Sequence, residues 1–536
     1  MILRHEKIGP LNPSRTHSAV FHTGQWILLA VACLLFLLNR APFLGQWDSF
    51  DYVKQVVNHQ LSDLAMGRPV FIAYNIAWWE AMRWLLHLAP LQAETVMMYG
   101  VIIAGVLGVA LFMRFSCLLL SPQVSRMAAL ALALSPMYVI YSASIMTEVP
   151  MLVAALCAAM MLWDNKPGAQ IYRNLAGGLA FGAAVGIREQ ALTLGAAYLW
   201  IICVRRSGWR SRIQSLAVFS FSSLSMILLS AGFLYLKDPG AFARRLQVWF
   251  LSIPTEGVHF WTNAEASLIF TLGICPGAWL GVLCAGAFQG WKNLRRFRRR
   301  GTERAASSGS LPGKLPSQGD GIPCLGWAVF CGLILPIAAL WRDADVQIHP
   351  RYCIIALPAS LIFCAAVFHR WLPSRRAAVV WAVLQVGVFG ITQIAIHPFR
   401  DVYYQKKEYA LMVRTMVPGA ALLIPGSYSP IIDYYRGLGD RPDWKILWSG
   451  WRWNHKDAEK QITEAWRQRE PVFLCEGPRA WAYFEDEWLD LFFFLRGHRR
   501  EVIAPGLVRV YPERDDRRQS QSILMRPFAR QSVPRP

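Results

Sequence analysis

Charge is scarce in this chain. Only 17% of its 536 residues are Asp, Glu, Lys or Arg, against 54% hydrophobic residues. A soluble nucleic-acid binder with a formal charge of +21 would carry far more charged side chains than that, so the excess of 55 Lys and Arg over 34 Asp and Glu does not indicate nucleic-acid binding. Paired cysteines are also missing. The 11 Cys include no CxxC pair and lie almost entirely within apolar stretches, which argues against a zinc site or a disulfide framework and for small buried hydrophobes. No repeat of fixed period is visible, which excludes a solenoid or propeller.

Long apolar runs are present instead. A hydrocarbon core of roughly 30 Å needs about 20 apolar residues in helix, and runs of suitable composition fall at 25–44, 95–113, 127–141, 149–163, 174–187, 190–204, 213–236, 264–288, 322–341, 352–368 and 377–396. These predict a polytopic α-helical membrane protein of about 11 spans. The first run lacks a small-residue cleavage site and is read as a retained span. Residues 69–90 are apolar but carry Glu80, Arg83, His87 and three Trp, which suits a helix lying along the interface. Residues 174–204 are read as two helices in a hairpin broken at Arg188-Glu189.

Cytoplasmic connections carry the excess of Lys and Arg. With the N-terminus inside, 22 basic residues fall on the inner side and 10 on the outer side before residue 400. Making 69–90 a span, or fusing 174–204, would move the cluster Arg295, Arg296, Arg298, Arg299 and Arg300 outside. The expected organisation is a cytoplasmic segment 1–24, a membrane catalytic domain 25–399, an extracytoplasmic α/β domain 400–513 and a disordered tail 514–536. The membrane domain would have a first outer loop at 45–94 and a basic cytoplasmic loop at 289–321. In the α/β domain, strands are expected at 421–426, 444–450, 471–477 and 501–511, and helices at 427–437, 456–469 and 478–496. The location implied is the inner, or plasma, membrane.

Acidic residues gather on the side opposite the basic ones, with 12 in the outer connections and four in the inner. Ionisable groups at a membrane are costly and mark function. The sequence Trp47-Asp48-Ser49-Phe50-Asp51-Tyr52 places Asp48 and Tyr52 four residues apart on one helix face, with Asp51 three from Asp48. Two carboxylates and a phenol could then share a cavity, or Asp48 and Ser49 could simply cap a helix. Glu148 starts a span beside Pro150, where it complements the helix dipole or acts as a second acid. Arg188 either pairs with Glu148 or Glu189 or holds a phosphate. Arg351 either anchors at the interface or binds phosphate, with His349 as a further donor. His259 reads as an interfacial residue, and Asp343 and Asp345 as sugar contacts or a solvated turn.

These features together resemble the GT-C superfamily of glycosyltransferases that use polyprenyl-phosphate sugars, such as protein O-mannosyltransferases and lipid A aminoarabinose transferases. Asp48 with Tyr52 is similar to that family's Asp-Glu-x-x-Tyr, with Ser49 where Glu is frequent and Asp51 as the replacement acid. Gly67-Arg68-Pro69 resembles the basic-Pro segment of the first outer loop, Ser135-Pro136 through Glu148-Val149-Pro150 the stretch before the fourth span, and His349-Pro350-Arg351-Tyr352 the Arg-Tyr start of a late span. The resemblance implies Asp48, Asp51 and Glu148 as catalytic residues and Tyr52, Arg68, Arg188, His349, Arg351 and Tyr352 as substrate-binding residues. It also implies a sugar moved from a polyprenyl phosphate to a hydroxyl of a glycan, lipid or protein acceptor at the outer face, with inversion and with Asp48 as general base. Asp48, Asp51 and Glu148 offer oxygens suited to Mg or Mn, but no metal is expected to be required. A transporter or flippase of lipid-linked glycans would share the spans but not the soluble domain or the one-sided acids. A scaffold without catalysis, whose outer domain binds a partner, is the third reading.

Overall fold

The structure is a computed structural model. It describes residues 23–40, 47–59, 68–163, 169–205, 208–237, 239–240, 242–243, 273, 275–303, 350–373, 375–425, 432, 434–435, 444–447, 455–476 and 494–512. The chain divides into two compact units, Met1–Tyr403 and Tyr404–Pro536.

The first unit is helical. In chain order it contains α1 (Thr23–Leu38), α2 (Trp47–Asn58), α3 (Pro69–Leu86), α4 (Ala93–Leu119), α5 (Pro122–Ala133), α6 (Pro136–Ser142) and α7 (Glu148–Trp163). Then follow α8 (Gln170–Ile187), α9 (Leu194–Arg205), α10 (Trp209–Lys237), α11 (Pro276–Glu303), α12 (Leu357–Trp371) and α13 (Arg375–Met416). Prolines start α3, α5, α6 and α11, where a missing N–H costs nothing because the first turn has no intrahelical acceptor for it.

Among the described residues, four helical stretches are long and apolar enough to cross a membrane: Pro90–Leu119, Trp209–Leu236, Cys353–Trp371 and Arg376–Ile394. Helices α1 and α7 are apolar but shorter. The run expected as one crossing at 127–141 is α5 and α6, bent by 62° at Ser135-Pro136, because the residue before proline is driven out of helical backbone and the ring removes a bond. The span expected at 322–341 lies outside the described residues, as does most of the first half of the span expected at 264–288, whose second half belongs to α11. Helix α3 covers the segment read as interfacial. Arg188 separates α8 from α9 in extended backbone, with φ −157° and ψ 122°.

Close helix packing centres on α8. Gly178, Gly182 and Gly186 recur every fourth residue, so they form one smooth stripe. A Cβ on Gly182 would lie 2.7 Å from both Met226 Cβ and the Ser223 carbonyl of α10, and one on Gly186 would lie 2.5 Å from Val70 of α3. Small residues here let backbones approach where lipid offers no hydrophobic drive. Tyr198 of α9 donates to the Ala155 carbonyl of α7 at 2.7 Å, and Trp381 of α13 to the Met127 carbonyl of α5 at 2.9 Å.

The last span, expected at 377–396, lies within a longer helix. Helix α13 continues through His397-Pro398 to Met416 and stops before Pro418-Gly419. The second unit holds a five-stranded sheet in the order β2-β1-β3-β5-β4, made of β1 (Leu422–Pro425), β2 (Lys445–Ile446), β3 (Val472–Cys475), β4 (Arg500–Ala504) and β5 (Leu507–Val510). Strand β1 is parallel to β2 and β3, while β5 is antiparallel to β3 and β4. Helix α14 (His455–Arg467) turns Ala458, Ile462 and Ala465 onto Leu422, Ile424, Val472 and Leu474. The run 501–511, expected as one strand, is a hairpin. Gly506, at φ 74°, makes a turn that a residue with a Cβ adopts at a cost. The helix expected at 478–496 is described only from Phe494.

Candidate active site

Asp48 lies in the first turn of α2. Asp48 is a fifth exposed, and its Oδ2 lies 3.5 Å from Nη1 of Arg68, itself 13% exposed at the entrance of α3. The Arg68 guanidinium also stands 5.3 Å from the centre of the Tyr52 ring. Tyr52, one helical turn after Asp48, is buried edge-on against Phe71 of α3, with ring centres 5.1 Å apart. Its hydroxyl is buried without a hydrogen-bond partner.

Ser49 turns the other way. Its hydroxyl, fully buried, donates to the Ile145 carbonyl at 2.9 Å. That bond holds the start of α2 against the segment leading into α7, three residues before Glu148. Glu148 is completely buried, and its Oε1 accepts from Nη1 of Arg188 at 2.5 Å. The same Nη1 lies 2.9 Å from Thr147 Oγ1, and Arg188 Nε donates to Gln190 Oε1 at 2.6 Å. The second Glu148 oxygen, Oε2, is buried without a partner. Arg188 sits where α8 has ended, so its side chain is free to turn back onto α7.

Gly186, two residues before Arg188, admits Val70, two residues after Arg68. The two arginines are thereby drawn within electrostatic range. Burial and then the Arg188 charge pull the Arg68 guanidinium below its ordinary pKa, while Glu189, Asp48 and Glu148 pull it back. Five charged groups from α2, α3, α7 and the end of α8 therefore feel one another.

Asp51 faces along its own helix and accepts from Gln55 at 2.6 Å. His349 lies outside the described residues, as do His259, Asp343 and Asp345. Arg351 and Tyr352 fall in a 3-10 turn, Pro350–Ala356, that packs against α6 and α7. Among the described residues no three His, Cys, Asp or Glu side chains converge as metal ligands, and one oxygen each of Asp48 and Glu148 faces a guanidinium group.

No family model and no curated protein matches the sequence. Solved structures do. ArnT from Cupriavidus metallidurans in the apo state superposes with a TM-score of 0.59 at 14% identity, over 91% of this chain and 98% of that one. The chain has a GT-C-like fold. ArnT bound to undecaprenyl phosphate superposes over the same shares at 14% identity with a TM-score of 0.56. The oligosaccharyltransferase AglB from Archaeoglobus fulgidus, in complex with an inhibitory peptide and a dolichol-phosphate, reaches 0.43 at 12% identity, over 92% of this chain and 75% of its own.

Within this GT-C-like fold, Ser49, Thr147 and Gln190 are members of the polar cluster that sequence reasoning passed over. Thr147 and Gln190 flank residues already singled out, and adjacency was their only signal. Ser49 reads in the sequence as a helix cap or as a substitution for Glu, yet its side chain connects the two halves of the cluster.

Proposed function

We propose that this chain is an integral-membrane glycosyltransferase that moves a sugar from a polyprenyl phosphate to an acceptor hydroxyl on the outer side of the membrane, with inversion. The observation that carries the reading is the junction of Asp48 and Arg68 with the buried Glu148–Arg188 pair inside a GT-C-like fold. The two solved ArnT forms, one holding undecaprenyl phosphate, support the donor class.

The acceptor hydroxyl is a weak nucleophile at neutral pH. Asp48, the more exposed of the two acids, takes its proton as oxygen attacks the anomeric carbon and the bond to the lipid phosphate breaks, a contribution of about 10²- to 10⁴-fold for a positioned base. Negative charge collects on the departing phosphate. Arg188 already directs Nε and Nη1 to protein partners, so Arg68, held by one long contact to Asp48, is assigned to the phosphate, with Arg351 as a second cation. Glu148 orients the sugar or the acceptor through its unpaired oxygen, because a buried oxygen without a donor is costly until substrate supplies one.

The test is single-turnover transfer from a purified polyprenyl-phosphate sugar with wild type and Asp48→Asn, with and without chelator. We expect Asp48→Asn to bind donor as wild type does and to lose at least about 10²-fold in transfer, and chelator to change neither. Undiminished transfer by Asp48→Asn rejects Asp48 as the base. Lipid movement across a vesicle membrane without any transfer would point to a flippase.

A further inference from the structure

A half-open apolar groove of about 270 Å³ lies between the second half of α3 and the start of α4, lined by Trp78, Met82, Leu86, Leu88, Val96 and Tyr99. It belongs to a different part of the unit from the acidic cluster. Trp78 and Met82 stand ten and fourteen residues beyond Arg68, which is roughly 15 to 21 Å along a helix. Two polar groups of its wall, which also includes Gln92 and Thr95, are engaged within the protein. Trp78 Nε1 donates to the Val96 carbonyl at 2.9 Å, and Gln92 Oε1 accepts from the Ala89 amide at 2.8 Å. What the wall presents inward is mostly hydrocarbon, which suits an apolar chain.

A guanidinium stands at this wall. Arg40, just past the end of α1 and exposed, donates to the Tyr99 hydroxyl at 3.0 Å and lies 5.8 Å from the Tyr99 ring centre. Tyr99 is thus both lining of the groove and mount for a guanidinium, the group that matches phosphate oxygens in pairs. Trp84, Leu85 and Leu86 are more than half exposed beside it on α3, the composition of a membrane interface.

We propose that this groove is a phospholipid site. One acyl chain of an anionic phospholipid, from the leaflet facing the Arg40 end of α1, lies along Trp78, Met82 and Val96, and its phosphate pairs with Arg40. The groove residues Trp78 and Met82 stand ten or more residues along α3 from Arg68, so this lipid is distinct from a reacting sugar donor, and the site stands whether or not transfer is the activity.

The full-length protein, purified in detergent, is titrated with phosphatidylglycerol, phosphatidylcholine and undecaprenyl phosphate and read by native mass spectrometry. We expect one phosphatidylglycerol held at least tenfold more tightly than phosphatidylcholine. Arg40→Gln, a change at an exposed side chain, should erase that preference while leaving weak binding of both lipids. Met82→Trp, which fills the groove, should lower retention of both. Equal binding of the two phospholipids by wild type, an unchanged preference in Arg40→Gln, or displacement of phosphatidylglycerol by equimolar undecaprenyl phosphate overturns the assignment.

Discussion

At the scale of single residues, the Glu148–Arg188 pair and the Ser49 hydroxyl have separable roles. Removing one member of a buried ion pair leaves the other charged and unpaired, at a cost of roughly 3–5 kcal/mol, whereas replacing both with apolar groups of similar volume is often neutral. Glu148→Gln keeps a polar group beside Arg188. Arg188→Met leaves Glu148 alone among apolar atoms and should lower the thermal midpoint most, and the double variant Glu148→Leu/Arg188→Met should recover much of that loss without recovering transfer. Thermal unfolding in detergent, with activity measured in parallel, checks both halves. Ser49 calls for a different readout, since it is a positioning residue whose bond to the Ile145 carbonyl holds Asp48 near Glu148. A misplacement of about 1 Å near reacting atoms can cost up to about 10²-fold. Ser49→Ala should therefore reduce kcat by about 10- to 100-fold with little change in KM, and Ser49→Thr, which keeps the hydroxyl, should restore much of it. A purely structural role would lower the amount of folded protein and leave kcat per folded molecule intact.

At the scale of elements, the glycine stripe of α8 offers the sharpest prediction. Gly182→Val would place a branched side chain where even a Cβ lies 2.7 Å from Met226 and the Ser223 carbonyl, and overpacking costs about 1–3 kcal/mol where backbone must move. Gly232 of α10 has nothing within 4 Å of its Cβ position, so Gly232→Ala should be neutral or slightly stabilising through helix propensity, and the difference in unfolding midpoint tests the pair. How much of this was legible in the sequence differs by kind. The long helices α4 and α10 were readable because hydropathy alone requires them, and strands β1 and β3 because short apolar runs sit between a helix and turn residues. Pro136 announced a break that was underweighted in favour of a full crossing. Ala504-Pro505-Gly506 was absorbed into one strand although Pro-Gly is a turn signal. The Ser49 bond reaches across 96 residues, and the stripe of α8 acquires meaning only from Ser223 and Met226, so neither had a local signature. Asp48, Glu148, Arg68 and Arg188 could be singled out because charge is rare in this chain, but their pairing could not.

At the scale of the whole molecule, the two units predict two different chemical behaviours. In the second unit Cys475 is fully buried on β3, and burial pushes its thiol up to about 12, only partly opposed by a hydrogen bond with Tyr409. The thiolate is the reactive form, so a maleimide or iodoacetamide should leave Cys475 unmodified in the folded protein near pH 8 and label it on unfolding, as peptide mass spectrometry would show. The sign follows from linkage. A folded pKa above the unfolded value of about 8.5 means the contribution is intact below that pH and is lost as pH rises toward the folded value. The first unit predicts orientation. With 22 basic residues assigned to the inner side against 10 to the outer, and 12 acids to the outer side against four to the inner, the excess of Lys and Arg should keep the loop that follows α11 cytoplasmic, because positive residues near span ends resist translocation. Replacing Arg295, Arg296, Arg298, Arg299 and Arg300 by Gln should raise the fraction of molecules in which a cysteine introduced in that loop reacts with an impermeant reagent from outside. Wild type should show none. An equal reaction in wild type would place the loop outside and reverse every side assigned to the charges, including the face on which Asp48 meets its substrates.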